Sequence, residues 1–126
     1  MKSRYIRVLS GLLLVGTLGC QSATQTIRKS ESKSPDGGRL VLTHTENTDG
    51  PGINAQYTTI EMKQSFDGAK PVEILVFDEG SEEAKDIKAN WVSPSHLNIT
   101  YRGNPEILFQ AIKAFGMDVS LERLTN

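Results

Sequence analysis

One cysteine, Cys20, stands in 126 residues, so no disulfide can form within the chain. The two histidines, His44 and His96, lie far apart, and neither has a cysteine or a second histidine at the spacing of a metal-ligand pair. No apolar run is long enough to cross a bilayer. The best candidate, Val8 to Gly19, holds twelve residues; as a helix it would cover ~18 Å, against a hydrocarbon core ~30 Å thick. No Gly-x-Ser-x-Gly elbow occurs, and the adjacent Ser95 and His96 would point to opposite faces of a strand. Basic excess is missing too: 14 Lys and Arg stand against 15 Asp and Glu, which disfavours nucleic acid as a partner. These absences leave neither a nucleophile-and-base set nor a metal-ligand set in the primary structure, and no cofactor is expected.

What is present begins at the N-terminus. Lys2, Arg4 and Arg7 form a positive n-region, Val8 to Val15 with Leu18 an apolar h-region, and polar residues follow Cys20 directly. That is the layout of a secretory signal. Its end, Val15-Gly16-Thr17-Leu18-Gly19-Cys20, resembles the lipobox of bacterial lipoproteins. The resemblance implies cleavage between Gly19 and Cys20, lipidation of the Cys20 thiol and acylation of the new amine. It thereby implies a membrane-anchored protein of the bacterial cell envelope. Gln21, being a residue other than Asp, implies an outer-membrane address facing the periplasm. More than one acyl chain is what makes such anchoring stable. Loss of Lys2, Arg4 and Arg7 with the signal leaves 11 basic residues against 15 acidic, a net charge near −4.

The expected organisation is a signal at 1–19, the lipidated Cys20 with a polar linker to residue 34, and a β-rich periplasmic domain at 35–126. The linker, rich in Ser, Thr, Gln and charge, would reach at most ~45 to 50 Å. Within the domain, period-2 segments separated by turn residues dominate. Leu40 and Leu42 share one face of a strand after the turn Ser34-Pro35-Asp36-Gly37, with Val41 and Thr43 on the other. Ile60 and Met62 alternate with Glu61 and Lys63. "PVEILVF" (71–77) is apolar enough on both faces for a central strand. Ile87, Ala89 and Trp91 align on one strand, and Leu97, Ile99 and Tyr101 on the next, across Ser93-Pro94-Ser95. "TDGPG" (48–52) reads as a loop. Near the end the period changes. Asn104 suits a cap and Pro105 a first helical position, while Leu108, Ala111, Ile112 and Phe115 recur at helical spacing. Val119 and Leu121 then alternate as a closing strand. The expected fold is mainly β (α+β), a small antiparallel sheet or sandwich of about six strands with one short C-terminal helix before the last strand.

"SPDGGRLVLT" and "ANWVSPSHLNITY" look like segments of β-propeller blades, but a blade takes ~40 to 45 residues and a ring at least four blades. In order and spacing these segments, with "GINAQYTTIEM" and "GMDVSLERL", are more similar to a group of small secreted or lipidated bacterial proteins. Those proteins begin with Ser-Pro-Asp-Gly and carry a Trp-x-Ser…Leu-x-Ile-x-Tyr hairpin; the Gly-Ala-Thr-Thr run of that group is missing here. The resemblance spans most of residues 34–123 and implies a fold more than an activity.

The densest charge, Asp78, Glu79, Glu82, Glu83 and Asp86, reads as a solvated loop, since Gly80 falls too early for a Ca²⁺ loop of EF-hand type. Trp91, Tyr57 and Tyr101 fit core positions at alternating spacing. The candidate partner contact is the 46–54 segment, at Asn47, Asp49, Gly50, Pro51 and Gly52, because loops carry contacts on rigid scaffolds. The functional expectation is a non-enzymatic lipoprotein, held to the membrane by its N-terminal lipid, whose domain binds or supports another envelope protein. The alternative is a small hydrolase or metal-dependent enzyme using His44, His96 and the acidic loop.

Overall fold

A computed structural model describes residues 23–80 and 82–125; Gly19, Cys20 and the rest of the expected signal lie outside these residues. Among the described residues the chain forms nine strands and no helix: β1 (Ala23–Lys33), β2 (Arg39–Gly50), β3 (Ile53–Gln64), β4 (Val72–Asp78), β5 (Lys85–Ser93), β6 (His96–Arg102), β7 (Glu106–Gln110), β8 (Lys113–Ala114) and β9 (Met117–Arg123). They make two sheets, one of five strands in the order β1-β2-β3-β4-β7 and one of four in the order β5-β6-β9-β8. The pairing is antiparallel except between β6 and β9, which run parallel.

Alternation assigns the faces. On the first sheet Val41, Ile60, Met62, Leu75 and Phe77 point inward; on the second Leu97, Ile99, Tyr101 and Val119 meet them in one buried cluster. Phe77 and Tyr101 join the sheets, with ring centroids 4.9 Å apart and tilted by 50°, a geometry that suits aromatic quadrupoles. Ile87, Ala89, Trp91 and Leu121 pack against this cluster from part-buried positions, as their alternation predicts. In β4 a register shift opposite Ile60 and Glu61 leaves Ile74 unpaired. This bulge lets consecutive Ile74 and Leu75 both be buried.

Four expectations are corrected. The antiparallel arrangement of about six strands is nine strands in two sheets, with β6 and β9 parallel. The stretch expected as a linker is strand β1 from residue 23 to 33, paired with β2 along its whole length apart from one bulge at Ile27. It lacks apolar periodicity because it is an edge strand with almost every residue exposed. The "TDGPG" loop shrinks to Pro51-Gly52, since Gly50 already pairs with Ile53. The expected C-terminal helix is absent, and its residues form β7 and β8. A helix of about three turns has little stability of its own. As a strand, Glu106–Gln110 covers the open edge of β4, and Phe115 (φ 51°) with Gly116 (φ 73°) turns the chain from β8 into β9. Both residues have positive φ, as a two-residue type I′ hairpin requires.

The β1–β2 connection is fixed by its side chains. Ser34 Oγ donates to Asp36 Oδ1 at 2.6 Å and accepts from the Arg39 N–H at 3.0 Å, while the Gly38 N–H donates to the same Asp36 oxygen at 2.9 Å. The Ser34 hydroxyl, followed by the Gly38 N–H, holds the Asp36 carboxyl below its ordinary value of 3.8. A depressed carboxyl stabilises the fold above its unfolded value, and that contribution disappears as pH falls through the folded one. Asp36→Asn should therefore be less stable than the parent at neutral pH, with the gap closing below pH 3.8. Urea melts across that range check it; a gap that stays constant contradicts it.

Candidate functional site

The inner face of the first sheet changes character along its length. Val41, Ile60, Met62 and Phe77 give way, at the same period of two, to Thr45 and Asn47 on β2, Thr58 and Gln56 on β3, and Glu79 just past β4. Arg28 pairs with Thr45 across β1 and β2. The apolar core thus continues into a polar layer.

Glu79 is its centre. Its side chain is 0% exposed, and each oxygen accepts two hydrogen bonds. Oε1 accepts from Thr58 Oγ1 at 3.0 Å and from the Ala84 N–H at 3.3 Å; Oε2 accepts from Gln56 Nε2 at 2.6 Å and from an Arg28 terminal nitrogen at 3.4 Å. A buried carboxylate needs such saturation, since each unmet lone pair would cost desolvation energy. The same Arg28 nitrogen reaches Glu83 Oε1 at 3.5 Å, and Gln56 Oε1 accepts from Asn47 Nδ2 at 3.4 Å. Thr45 and Thr58 hydroxyls lie 2.6 Å apart. A hydroxyl has one proton, and that of Thr58 goes to Glu79. Thr45 is therefore the donor in the pair, which leaves Thr45 Oγ1 with lone pairs only.

Above this layer lies a groove of about 550 Å³ between the two sheets, lined by residues 27–30 of β1, Thr43 and Thr45 of β2, and Asp86 and Ile87 of β5. Ser30 and Thr43 add hydroxyls, Ile27 and Ile87 apolar flanks. Arg28 remains 45% exposed at the side chain, and its hydrogen bonds among the described residues use one terminal nitrogen. The rest of the guanidinium faces outward from the ion pair. The groove thus offers the Arg28 donors and the Ser30 and Thr43 hydroxyls, on a saturated base in which Thr45 is buried.

Compared with protein-family models, curated proteins and solved structures, the chain finds no match. Function is therefore read from the chemistry of the residues alone.

The histidines are not brought together. His44 alternates with Thr43 and Thr45 onto the outer face of the first sheet, whereas His96 belongs to the second. Among the described residues no three of His, Cys, Asp and Glu converge as a metal site. His96 does meet a serine that sequence reading missed: Nε2 lies 2.8 Å from Ser120 Oγ, across the parallel β6–β9 pair. Its neighbours decide the direction of that bond. Asn98 Nδ2 donates to Glu122 Oε2 at 3.3 Å, which turns Asn98 Oδ1 toward Ser120; Ser120 Oγ donates to it at 2.8 Å. With its proton committed, Ser120 can only accept from His96, so Nε2 carries the hydrogen. A general base would have to receive the serine proton instead. The ladder is polarised the wrong way for a nucleophile.

The other candidates divide. The acidic segment is not uniformly solvated as expected: Glu79 is buried, while Glu82, Glu83 and Asp86 are exposed and Asp86 pairs with Arg102 at 3.5 Å. Tyr101 is buried and Trp91 part-buried, but Tyr57 is 38% exposed on the outer face. In the 46–54 segment, Asp49, Pro51 and Gly52 are exposed at the hairpin end, whereas Asn47 belongs to the network below Gln56.

Proposed function

We propose that the chain is a membrane-anchored envelope lipoprotein whose β domain is a non-enzymatic binding module, and that the groove over the Glu79 network is where it binds. The observation that carries the binding half is the pairing, at one wall, of Arg28 donors with the Ser30 and Thr43 hydroxyls, above a buried Thr45. A ligand that both donates and accepts suits such a wall. Amide groups do both, so an extended peptide segment of another envelope protein is the favoured occupant, with Ile27 and Ile87 receiving apolar side chains. Preorganisation by Glu79 removes the ordering cost that a free Arg28 would add on binding.

The anchoring half rests on the Lys2-to-Cys20 pattern, and β1 changes its consequence. Only Gln21 and Ser22 separate Cys20 from β1, so three residue steps hold Ala23 within about 10 Å of the anchor. Ala23 pairs with Asp49, which puts the Pro51-Gly52 turn at the membrane end of the domain. Arg28 lies five residues further along β1, roughly 17 Å further out. On this geometry the hairpin end faces lipid, and a periplasmic partner meets the groove.

Two measurements test the halves separately. Mass spectrometry of the protein from native membranes should find an N-terminus at Cys20 with the thiol in thioether linkage, and Cys20→Ser should leave an unlipidated precursor. An N-terminus at Met1 with a free thiol removes the anchor. For binding, a photo-crosslinking side chain at Ser30 should capture an envelope protein in intact membranes, and one at Asp67 should not. Capture at neither position, or equally at both, removes the groove.

A further inference from the structure

Two open sheets have four edges, here β1 and β7 on the first and β5 and β8 on the second. An edge strand presents unpaired N–H and C=O groups, and proteins guard such edges with lysine and other charges, bulges or brevity. Three of these edges are guarded. β1 carries Arg28, Lys29, Glu31 and Lys33. β5 carries Lys85, Asp86 and Lys88. β8 is two residues long.

The fourth edge differs. In β7 all five residues are exposed, among them Ile107 at 40%, Leu108 at 51% and Phe109 at 46%. Glu106 is the one charged residue between Gly103 and Lys113. The bulge in β7, at Leu108, is a break in its pairing with β4, and no lysine or proline lies within the strand. A strand with apolar side chains on both faces and, among the described residues, a free backbone edge is a template for a further strand.

We propose that β7 is a self-association edge, on which a second copy of this chain adds its own β7 antiparallel about a two-fold axis. The charge pattern favours that occupant. A two-fold axis makes the interface isologous, so every residue meets its mirror position, and an edge bearing several charges of one sign would repel itself. Centred on Leu108, the two-fold sets Glu106 opposite Gln110 and Ile107 opposite Phe109. The one carboxylate then faces an amide, and every other cross-strand pair is apolar. On β1 the adjacent Arg28 and Lys29 would face their own copies in the matching arrangement. The ten strands of the joined first sheets would leave β1 and its groove at the two outer ends, so self-association and binding at the groove are independent.

The test uses the full chain with Cys20→Ser, which removes the native thiol. Single cysteines at positions 107, 108, 109 and 110, each in place of the native residue, are oxidised at equal protein concentration beside a Lys29→Cys control. The expected result is a disulfide-linked dimer at position 108, which the two-fold sets opposite itself, formed about tenfold more than in the control and more than at 107, 109 or 110, because facing Cα atoms of paired strands lie within disulfide reach. Phe109→Lys, a standard edge guard, should return the chain to monomer in analytical ultracentrifugation with its thermal midpoint little changed. A chain that is monomeric before substitution, cross-linking no greater than at Lys29, or a dimer that survives Phe109→Lys each overturns the proposal.

Discussion

Replacing Glu79 by Ala is expected to lower stability by roughly 3 kcal/mol, because several groups lose the one acceptor they share. Thr58, Gln56 and the Ala84 N–H are the costly ones, being buried or part-buried around a fully buried side chain. Arg28 contributes less, since at 45% exposure its guanidinium can rehydrate. Glu79→Gln separates charge from shape. It fills the same space, but one of its two heteroatoms becomes a donor facing two donors, whichever way the amide turns. It should therefore cost about as much as a buried unsatisfied pair, ~1 to 3 kcal/mol. Chemical denaturation reads both effects as a lower midpoint at unchanged slope. A Gln variant as stable as the parent would mean that Glu79 is not the shared acceptor of this layer.

Binding depends on the same carboxylate. If the groove binds through Arg28, which Glu79 holds in place, Glu79→Gln weakens capture at Ser30 while leaving the lipid anchor untouched. The same substitution should not change association through β7, which lies at the opposite edge of the sheet beyond β4.

Much of the fold was legible in the residues, and the limit has a physical cause. Period-two alternation assigned Ile60, Met62, Leu97, Ile99 and Tyr101 to the core because those strands are buried on one face and exposed on the other. The same alternation, continued, also assigns Glu79: Leu75, Phe77 and Glu79 fall on one face of β4 and its extension. It was hidden by charge, since a glutamate among four other acids reads as solvated unless its partners Thr58 and Gln56 are known to fold over it. Strand β1 was hidden for the reverse reason. An edge strand whose hydrogen bonds go to β2 need not carry an apolar stripe, so "ATQTIRKSESK" has the composition of a linker. The 106–115 stretch misled through genuine helical spacing of Leu108, Ala111, Ile112 and Phe115. Local spacing yields there to the unpaired edge of β4, a non-local demand that no window of sequence contains. Ser120 and His96, 24 residues apart, meet only because β9 returns parallel to β6.

Gly103→Ala should destabilise the domain about as much as losing Glu79, and for a related reason. Gly103 follows β6 with φ at +92°, and a Cβ built there would stand 2.5 Å from the backbone oxygen of Glu83. That oxygen belongs to the crossover between β4 and β5, the segment whose Ala84 N–H is held by Glu79. It cannot swing aside as a side-chain tip would, because moving it pulls Ala84, fully buried, away from the carboxylate. Backbone strain at such a φ costs ~1 to 3 kcal/mol before any clash, and displacement of the crossover adds to it. A loss of about 3 kcal/mol corresponds to a fall in thermal midpoint of about 10 to 20 °C for a domain of this size. Gly116→Ala provides the comparison: φ there is +73°, but nothing lies within 4 Å of the added carbon. It should cost only the backbone preference, ~1 to 2 kcal/mol. The difference between the two midpoints measures the close approach of the crossover to Gly103, and equal midpoints would mean that the two backbones do not meet there. Combined with Glu79→Gln, Gly103→Ala should show less than additive loss, since both variants release the same segment; strict additivity would mean that they act on separate parts of the fold.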